Sequence, residues 1–484
     1  MTHIHREFLK DKKHIHFIGI GGSGMFPLVQ ILHGMGYYIT GSDNNPGDTI
    51  DFEREKLGIP VTIGQRAENI EGADLIVHTA AIMDDNPELM AARASGVPTI
   101  ERADLLGLVT SWFDSCICVC GTHGKTTTTA LLTQMLMECG MDPSAVVGGK
   151  LPAIGGSGRL GSSDIMTCEA CEFEDHFLKL HPDIAVILNV DADHMEYFKT
   201  MDHVIASYHQ FAQMATKVVI YNGEDANACK AVEGVAGKKM LTFGMGENND
   251  YYPKNIVHTD GRHTRYDLYC RGENLGTVLL NVPGDHNILN SISAIAAAIE
   301  VGCGVQQAIA SASVFQGAGR RFEIMGENKG VTIADDYGHH PAEIEATLKA
   351  AKAMDYRAVW AVHQPFTYSR TAMLLDDFAR VLQIADHVVL SEIMGSREKN
   401  TYNIYAKDLA EKIPGCVWFP TFEEIRDYVM AKAQEGDLIR LCDEPRAAGG
   451  PGYHAGLRRR LQVRQADASS EITKIKVAQA GKLC

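Results

Sequence analysis

The sequence predicts an α/β protein of three domains in series, each a mostly parallel sheet covered by helices. Three observations carry this reading. A short apolar run, a glycine-bearing turn and a helical pattern open the chain near residue 14, restart near residue 114 and restart again after residue 315. Strand and helix patterns alternate after each restart, which is the grammar of βαβ units. A chain of 484 residues is also too long for one core.

The first domain, 1–113, reads as the strand HIHFIGI, the turn GGSGM, the helix FPLVQILHGMG and two further strands, YYITGSD and ADLIVHTAAI. The second, 114–315, opens with CICVCGTHGKTTTTALLTQMLMECG, again strand, turn and long helix, and continues through the apolar strands DIMTCEA, DIAVILNV and KVVIYN. The third, 316–440, follows FQGAGRRFEIMGE. It runs through the strand GVTIADDYG, the helix AEIEATLKAAKAM, and the strands RAVWAVHQ, HVVLSEI and GCVWFP. From 441 to 484 the apolar periodicity collapses into Arg-, Gly- and Ala-rich text, predicting a tail that is not a sheet element.

Composition excludes several classes of function. A net charge of −16 argues against a general nucleic-acid binder, which needs a basic face. No apolar run approaches the ~20 residues that span a bilayer, and the N-terminus MTHIHREFLKDKKHIHF is polar where a signal peptide is apolar. A cytoplasmic protein with reduced thiols is therefore expected, without membrane insertion. Of the 12 cysteines, Cys116, Cys118 and Cys120 alternate along one strand and read as buried free thiols. Cys168 and Cys171 form a lone C-x-x-C with no second pair to complete a zinc site.

Two turns carry chemistry. Gly19, Gly21 and Gly24, with Gly22, Ser23 and Met25 around them, fit G-x-G-x-x-G between a strand and a helix. Such glycines let the backbone approach a diphosphate at a helix N-terminus, and Asp43 ends the next strand where a ribose-binding acid sits. Taken alone, the motif fits a nicotinamide or flavin dinucleotide, or an empty structural turn; its context favours a diphosphate-bearing ligand of unspecified kind. The second turn, Gly121-Thr122-His123-Gly124-Lys125-Thr126-Thr127, is the stronger signal. Its amides can cradle phosphate, Lys125 supplies a point charge, and Thr126 can reach a magnesium ion. It is a shortened P-loop, since Val119 stands where the first glycine is expected. The first and third domains thus read as Rossmann-like and the central one as a P-loop-type ATPase.

The form GTHGKTT resembles that of the Mur ligase family, which joins an amino acid to a UDP-linked muramyl acceptor using ATP. GIGGSGM, the CEACE stretch, NVDADHMEYF, GDHNILNSISA, FQGAGRRFE, DDYGHHPAEI and HQPFTYSRT resemble the family in the same order, over roughly residues 14–440. GIGGSGM and DDYGHHPAEI are similar to the branch that adds alanine.

The resemblance implies ligation of L-alanine to UDP-N-acetylmuramate through an acyl phosphate, with ATP, two magnesium ions and a monomer or homodimer. It implies that Gly19, Gly21, Gly22, Ser23, Gly24, Met25, Asp43, His78, Thr79 and His123 hold the UDP-sugar. Gly121, Thr122, Gly124, Lys125, Thr126, Thr127, His286, Asn287, Asn290, Arg321 and Asp336 would serve ATP. Lys125, Glu169, His194 and Arg321 would serve catalysis, with Thr126, Glu169 and His194 as metal ligands, and Tyr337, His339 and Arg370 would bind the amino acid. Read without the resemblance, Glu169 is an ordinary strand-end carboxylate, His194 a structural histidine and Asn287 a helix cap. Glu172 reads as a group behind the metal site or a solvated charge. One departure touches the amino-acid pocket: the family's FQPH is HQPF here, exchanging His363 and Phe366. A muramyl-peptide recycling ligase, a catalytically impaired nucleotide-binding homologue and a nicotinamide dehydrogenase are the alternatives, and the last leaves GTHGKTT and HNILN unexplained.

Overall fold

The computed structural model describes residues 4–395 and 398–442. The chain divides between Gly319 and Arg320 into two compact units.

The first unit holds two sheets. One is five-stranded and parallel: His14–Ile18, Tyr38–Asp43, Val61–Ile63, Leu75–His78 and Thr99–Glu101. Their spatial order is third, second, first, fourth, fifth, so the winding reverses between the first and fourth strands. A crevice forms at such a reversal, beyond the strands' C-terminal ends.

The second sheet has ten strands, with Ser115–Cys120 near its centre between Ile165–Glu169 and Ile184–Ile187, all parallel. Alternation sorts its central strand as expected. Cys116, Cys118 and Cys120 face a core continuous with the first sheet, while Ile117 and Val119 face the helices Lys125–Glu138 and Asp285–Glu300. An antiparallel meander, Tyr251–Thr259, His263–Cys270 and Glu273–Leu280, extends one edge and was not foreseen. Its period-two burial pattern was there to be read.

One expectation is corrected here. Not all the thiols are reduced, because Cys139 and Cys303 are paired as a disulfide, with their Cα atoms 6.3 Å apart. The two follow the C-terminal ends of the packed helices Lys125–Glu138 and Asp285–Glu300, and a separation of 164 residues hid the pairing.

The second unit is a six-stranded sheet in the order Glu323–Asn328, Val331–Asp335, Leu438–Cys442, Val359–His363, His387–Ser391, Val417–Phe419. Only the edge pair formed by Glu323–Asn328 is antiparallel. Leu438–Cys442 sits inside the sheet, buried on both faces, and runs two residues past the expected boundary at 440. The predicted tail otherwise lies outside the described residues. Among the described residues no helix is long and apolar enough to cross a membrane.

Candidate active site

In the first sheet, the glycine turn and His78–Thr79 leave the C-terminal ends of the two strands that flank the reversal. Gly19 has φ +84°, and a Cβ there would lie 2.8 Å from Thr79 Cγ2, so this position requires glycine. The Gly21 amide donates to Asp43 Oδ2 at 3.1 Å and the Asn45 amide to Oδ1 at 3.1 Å. Burial nevertheless raises the Asp43 pKa, outweighing those bonds. Ser23 and Gly24 are exposed and Met25 is buried under the turn. Arg102, which sequence reasoning missed, packs beside Gly24 as the first residue of the helix Arg102–Thr110.

The shortened P-loop lies between the strand Ser115–Cys120 and the helix Lys125–Glu138. Gly121 and Gly124 take φ +140° and +88°, and a Cβ on Gly124 would lie 2.5 Å from Asn290 Oδ1. Asn290 is therefore pressed against the loop, with its Nδ2 donating to Asn287 Oδ1 at 2.9 Å. Asn287 in turn donates to the Pro283 carbonyl at 2.7 Å, while the helix's N-cap is Gly284. The HNILN signal thus comes to the loop, with Asn287 and Asn290 buried and His286 exposed.

Three acidic positions close on the loop. Thr126 Oγ1 donates to Glu169 Oε1 at 3.0 Å, and the Gly148 amide donates to Glu169 Oε2 at 2.6 Å. A hydroxyl and a carboxylate are hard oxygen donors of the kind magnesium takes, so this pair fits that ion. Lys125 Nζ lies 2.9 Å from both oxygens of Glu172. Burial alone would lower the Lys125 pKa, but the neighbouring acidic groups, Glu172 foremost and then Cys171 and Glu169, together outweigh it and raise it. The loop is latched from the other side by Asn189, whose Oδ1 accepts from the His123 amide at 2.8 Å and whose Nδ2 donates to the His123 carbonyl at 3.0 Å. Asp191 Oδ2 lies 3.8 Å from His123 Nε2.

His194 takes φ +53° at the start of the short helix Met195–Phe198. Its ring packs edge-on against Phe173 at 4.9 Å, beside the segment that carries Glu169 and Glu172, with Asp193 and Glu196 carboxylates near its nitrogens. Asn189 was missed as an individual, although it lies inside a motif the sequence had flagged; Glu172, left open between a group behind the metal site and a solvated charge, is buried.

The second unit carries its own constellation at the ends of its parallel strands. Asp336 is 4% exposed and accepts from the Phe322 and Gly338 amides at 3.0 and 3.2 Å, besides pairing with Arg440. It thereby fixes the segment that follows Arg321. The guanidiniums of Arg320 and Arg321 lie 4.8 and 5.3 Å from the centre of the Tyr337 ring. Tyr337 stacks edge-on with His339 at 5.0 Å, and His339 lies 5.8 Å from Phe366. Arg370 follows one turn on, in the helix Tyr368–Met373 capped by Thr367.

The exchange at HQPF has a physical outcome. His363 is buried with neither ring nitrogen hydrogen-bonded, and burial, then the Arg440 charge, hold its pKa down at about 3. It is a neutral core residue, while Phe366 takes the place beside His339.

A glycine loop with a lysine and a threonine thus meets carboxylates at the C-terminal ends of neighbouring parallel strands, on an α/β scaffold whose first sheet has its own crevice. Three family models match the chain: "Mur ligase family, catalytic domain" over 14–113, "Mur ligase middle domain" over 119–298 and "Mur ligase, glutamate ligase domain" over 320–442. The chain belongs to the Mur ligase family. It is 42% identical over 437 residues to the UDP-N-acetylmuramate–L-alanine ligase of Caldanaerobacter subterraneus subsp. tengcongensis, covering 89% of this chain and 95% of that one. It also resembles the crystal structure of the UDP-N-acetylmuramate-alanine ligase MurC of Thermotoga maritima. There the TM-score is 0.78 at 25% identity, over 93% of this chain and 98% of that one. A murein peptide ligase of Psychrobacter arcticus shares the fold, with TM-score 0.73 at 24% identity, over 94% of this chain and all of that one.

Proposed function

We propose that this chain ligates L-alanine to UDP-N-acetylmuramate in the cytoplasm, consuming ATP and releasing ADP and phosphate, in peptidoglycan precursor synthesis. The observation that carries the ATP half is the convergence of Lys125, Thr126 and Glu169 at one glycine loop. The alanine half is supported by the likeness to ligases of that name over most of the chain. The glycine turn at 19–25, Asp43, His78 and Thr79 take the UDP moiety, and Asn287 and Asn290 line the nucleotide side of the loop.

The reaction must bring an anionic carboxylate to an anionic γ-phosphate, so charge neutralisation and alignment are the main tasks. The carboxylate oxygen forms the new P–O bond as ADP leaves. The alanine amine then attacks the acyl carbon, and phosphate departs with that oxygen. Lys125 supplies positive charge along the phosphates, and the loop amides orient them. Thr126 and Glu169 would hold a magnesium ion, which supplies Lewis-acid charge at the phosphates when bound; His194 as a ligand of a second ion rests on the family resemblance. Amino-acid recognition is assigned to Tyr337, His339 and Arg370, whose planar fork suits a carboxylate.

Phosphate release from ATP with magnesium, UDP-N-acetylmuramate and alanine, with each component omitted in turn, tests the reading. Release should need all of them. Release that needs a free peptide beginning with L-alanine in place of alanine, with the same UDP-sugar as acceptor, would move the chain to the recycling alternative.

A further inference from the structure

Lys125 is the first residue of the helix Lys125–Glu138, where a cation meets the positive end of the helix dipole. Something must hold it there. An ammonium has three donors, and all three are spent: on Gly121 O at 2.6 Å, Thr122 O at 3.1 Å and Glu172 Oε1 at 2.9 Å. Two of these acceptors are the loop's own carbonyls, so the loop is folded around its lysine. The third is a carboxylate only 2% exposed, and its place is set by sheet register. Glu169 pairs with Val119, the Ala170 amide bonds to the Val119 carbonyl, and the turn that follows delivers Glu172 to the loop. A buried carboxylate is costly unless it is paired, and Lys125 is the one cation bonded to it among the described residues.

A triphosphate asks for the same donor and offers the same charge. It also suits the helix N-terminus better than a side chain tethered to the turn after Ile165–Glu169. We propose that Glu172 is the resident counter-ion of Lys125, a positioning residue that keeps the loop formed while the site is free and yields the ammonium to the incoming phosphates. Its cost is competition: ATP binds against an intramolecular anion. The inference rests on the ATP reading above and adds to it a residue tuning nucleotide affinity.

The test is Glu172→Gln, nearly isosteric and uncharged, with the exposed Glu174→Gln as control. Calorimetric titration with ATP and magnesium should give about tenfold tighter binding for Glu172→Gln, and the KM for ATP should fall with it. The melting temperature of the nucleotide-free protein should drop, and the rise on adding ATP should exceed that of the native enzyme. Glu174→Gln should match the native enzyme in all three. A merely structural Glu172 would lower both melting temperatures alike and leave affinity unchanged or weaker, and that result overturns the proposal. If Glu172→Gln does not fold, Glu172→Asp, which retracts the charge by one methylene, should shift affinity the same way by less; unchanged or weaker binding there overturns it equally. A native enzyme that binds no ATP would instead refute the ATP reading, so the two failures are distinguishable.

Discussion

Glu53 should tie the stability of the first unit to pH. Its side chain is fully buried on the helix Asp48–Glu55, and neither carboxyl oxygen has a hydrogen-bond partner. Burial first, and the Asp43 carboxylate second, push its pKa from 4.5 up to about 8. A group raised in this way contributes fully below its unfolded pKa and loses that contribution as pH climbs through the folded one. Between those values the unfolded chain has released the proton and the folded chain has not. Stability then falls by about 1.4 kcal/mol per pH unit, towards a ceiling of about 5 kcal/mol. Glu53→Gln keeps the shape and has no proton to lose. Urea titrations of both proteins at a series of pH values isolate this group, because other titrations cancel in the difference. The variant's advantage should grow by about 2–3 kcal/mol from pH 6 to pH 8 and level off above ~9. A difference that stays constant across that range would refute the reasoning.

Two further substitutions test the site and its support. A Cβ on Gly148 would fall on the Glu169 carboxylate, whose Oε2 the Gly148 amide now holds. Gly148→Ala should therefore raise the magnesium concentration needed for half-maximal phosphate release by about tenfold or more while the fold survives, as circular dichroism would report. An unchanged magnesium requirement would remove Glu169 from the ion. In the second unit, Arg440 is fully buried and pairs with Asp336. Arg440→Ala would leave that carboxylate unpaired in the core and should cost about 3–5 kcal/mol, read as a clear drop in the melting transition. An unchanged melt would show that the pair contributes nothing.

What the sequence disclosed follows from how local each signal is. Gly19–Gly24 and Gly121–Thr127 were legible because strand, positive-φ glycine and helix start are contiguous and their chemistry depends on backbone shape. Asp43 was legible for the same reason, since a fixed distance separates the ends of two successive parallel strands. Glu172 was not assigned, because its charge meets Lys125 47 residues away and only sheet register brings them together. Asn189 is a similar case: its motif was recognised, but not that its amide side chain would brace the loop. Leu438–Cys442 is last among the described strands and yet lies inside its sheet, a place that sequence order does not reveal. His363 was noticed as a departure, and the structure supplies the reason it is tolerated, which is burial as a neutral ring.

The central claim is that an acceptor carboxylate is activated by phosphoryl transfer at the Lys125 loop and then captured by alanine. The most direct measurement labels both carboxylate oxygens of UDP-N-acetylmuramate with a heavy oxygen isotope, runs the reaction with ATP, magnesium and alanine, and weighs both products. The account predicts one heavy oxygen in the released phosphate and one retained in a UDP-sugar extended by a single alanine. Unlabelled phosphate, or phosphate released without any alanine-extended product, would contradict it.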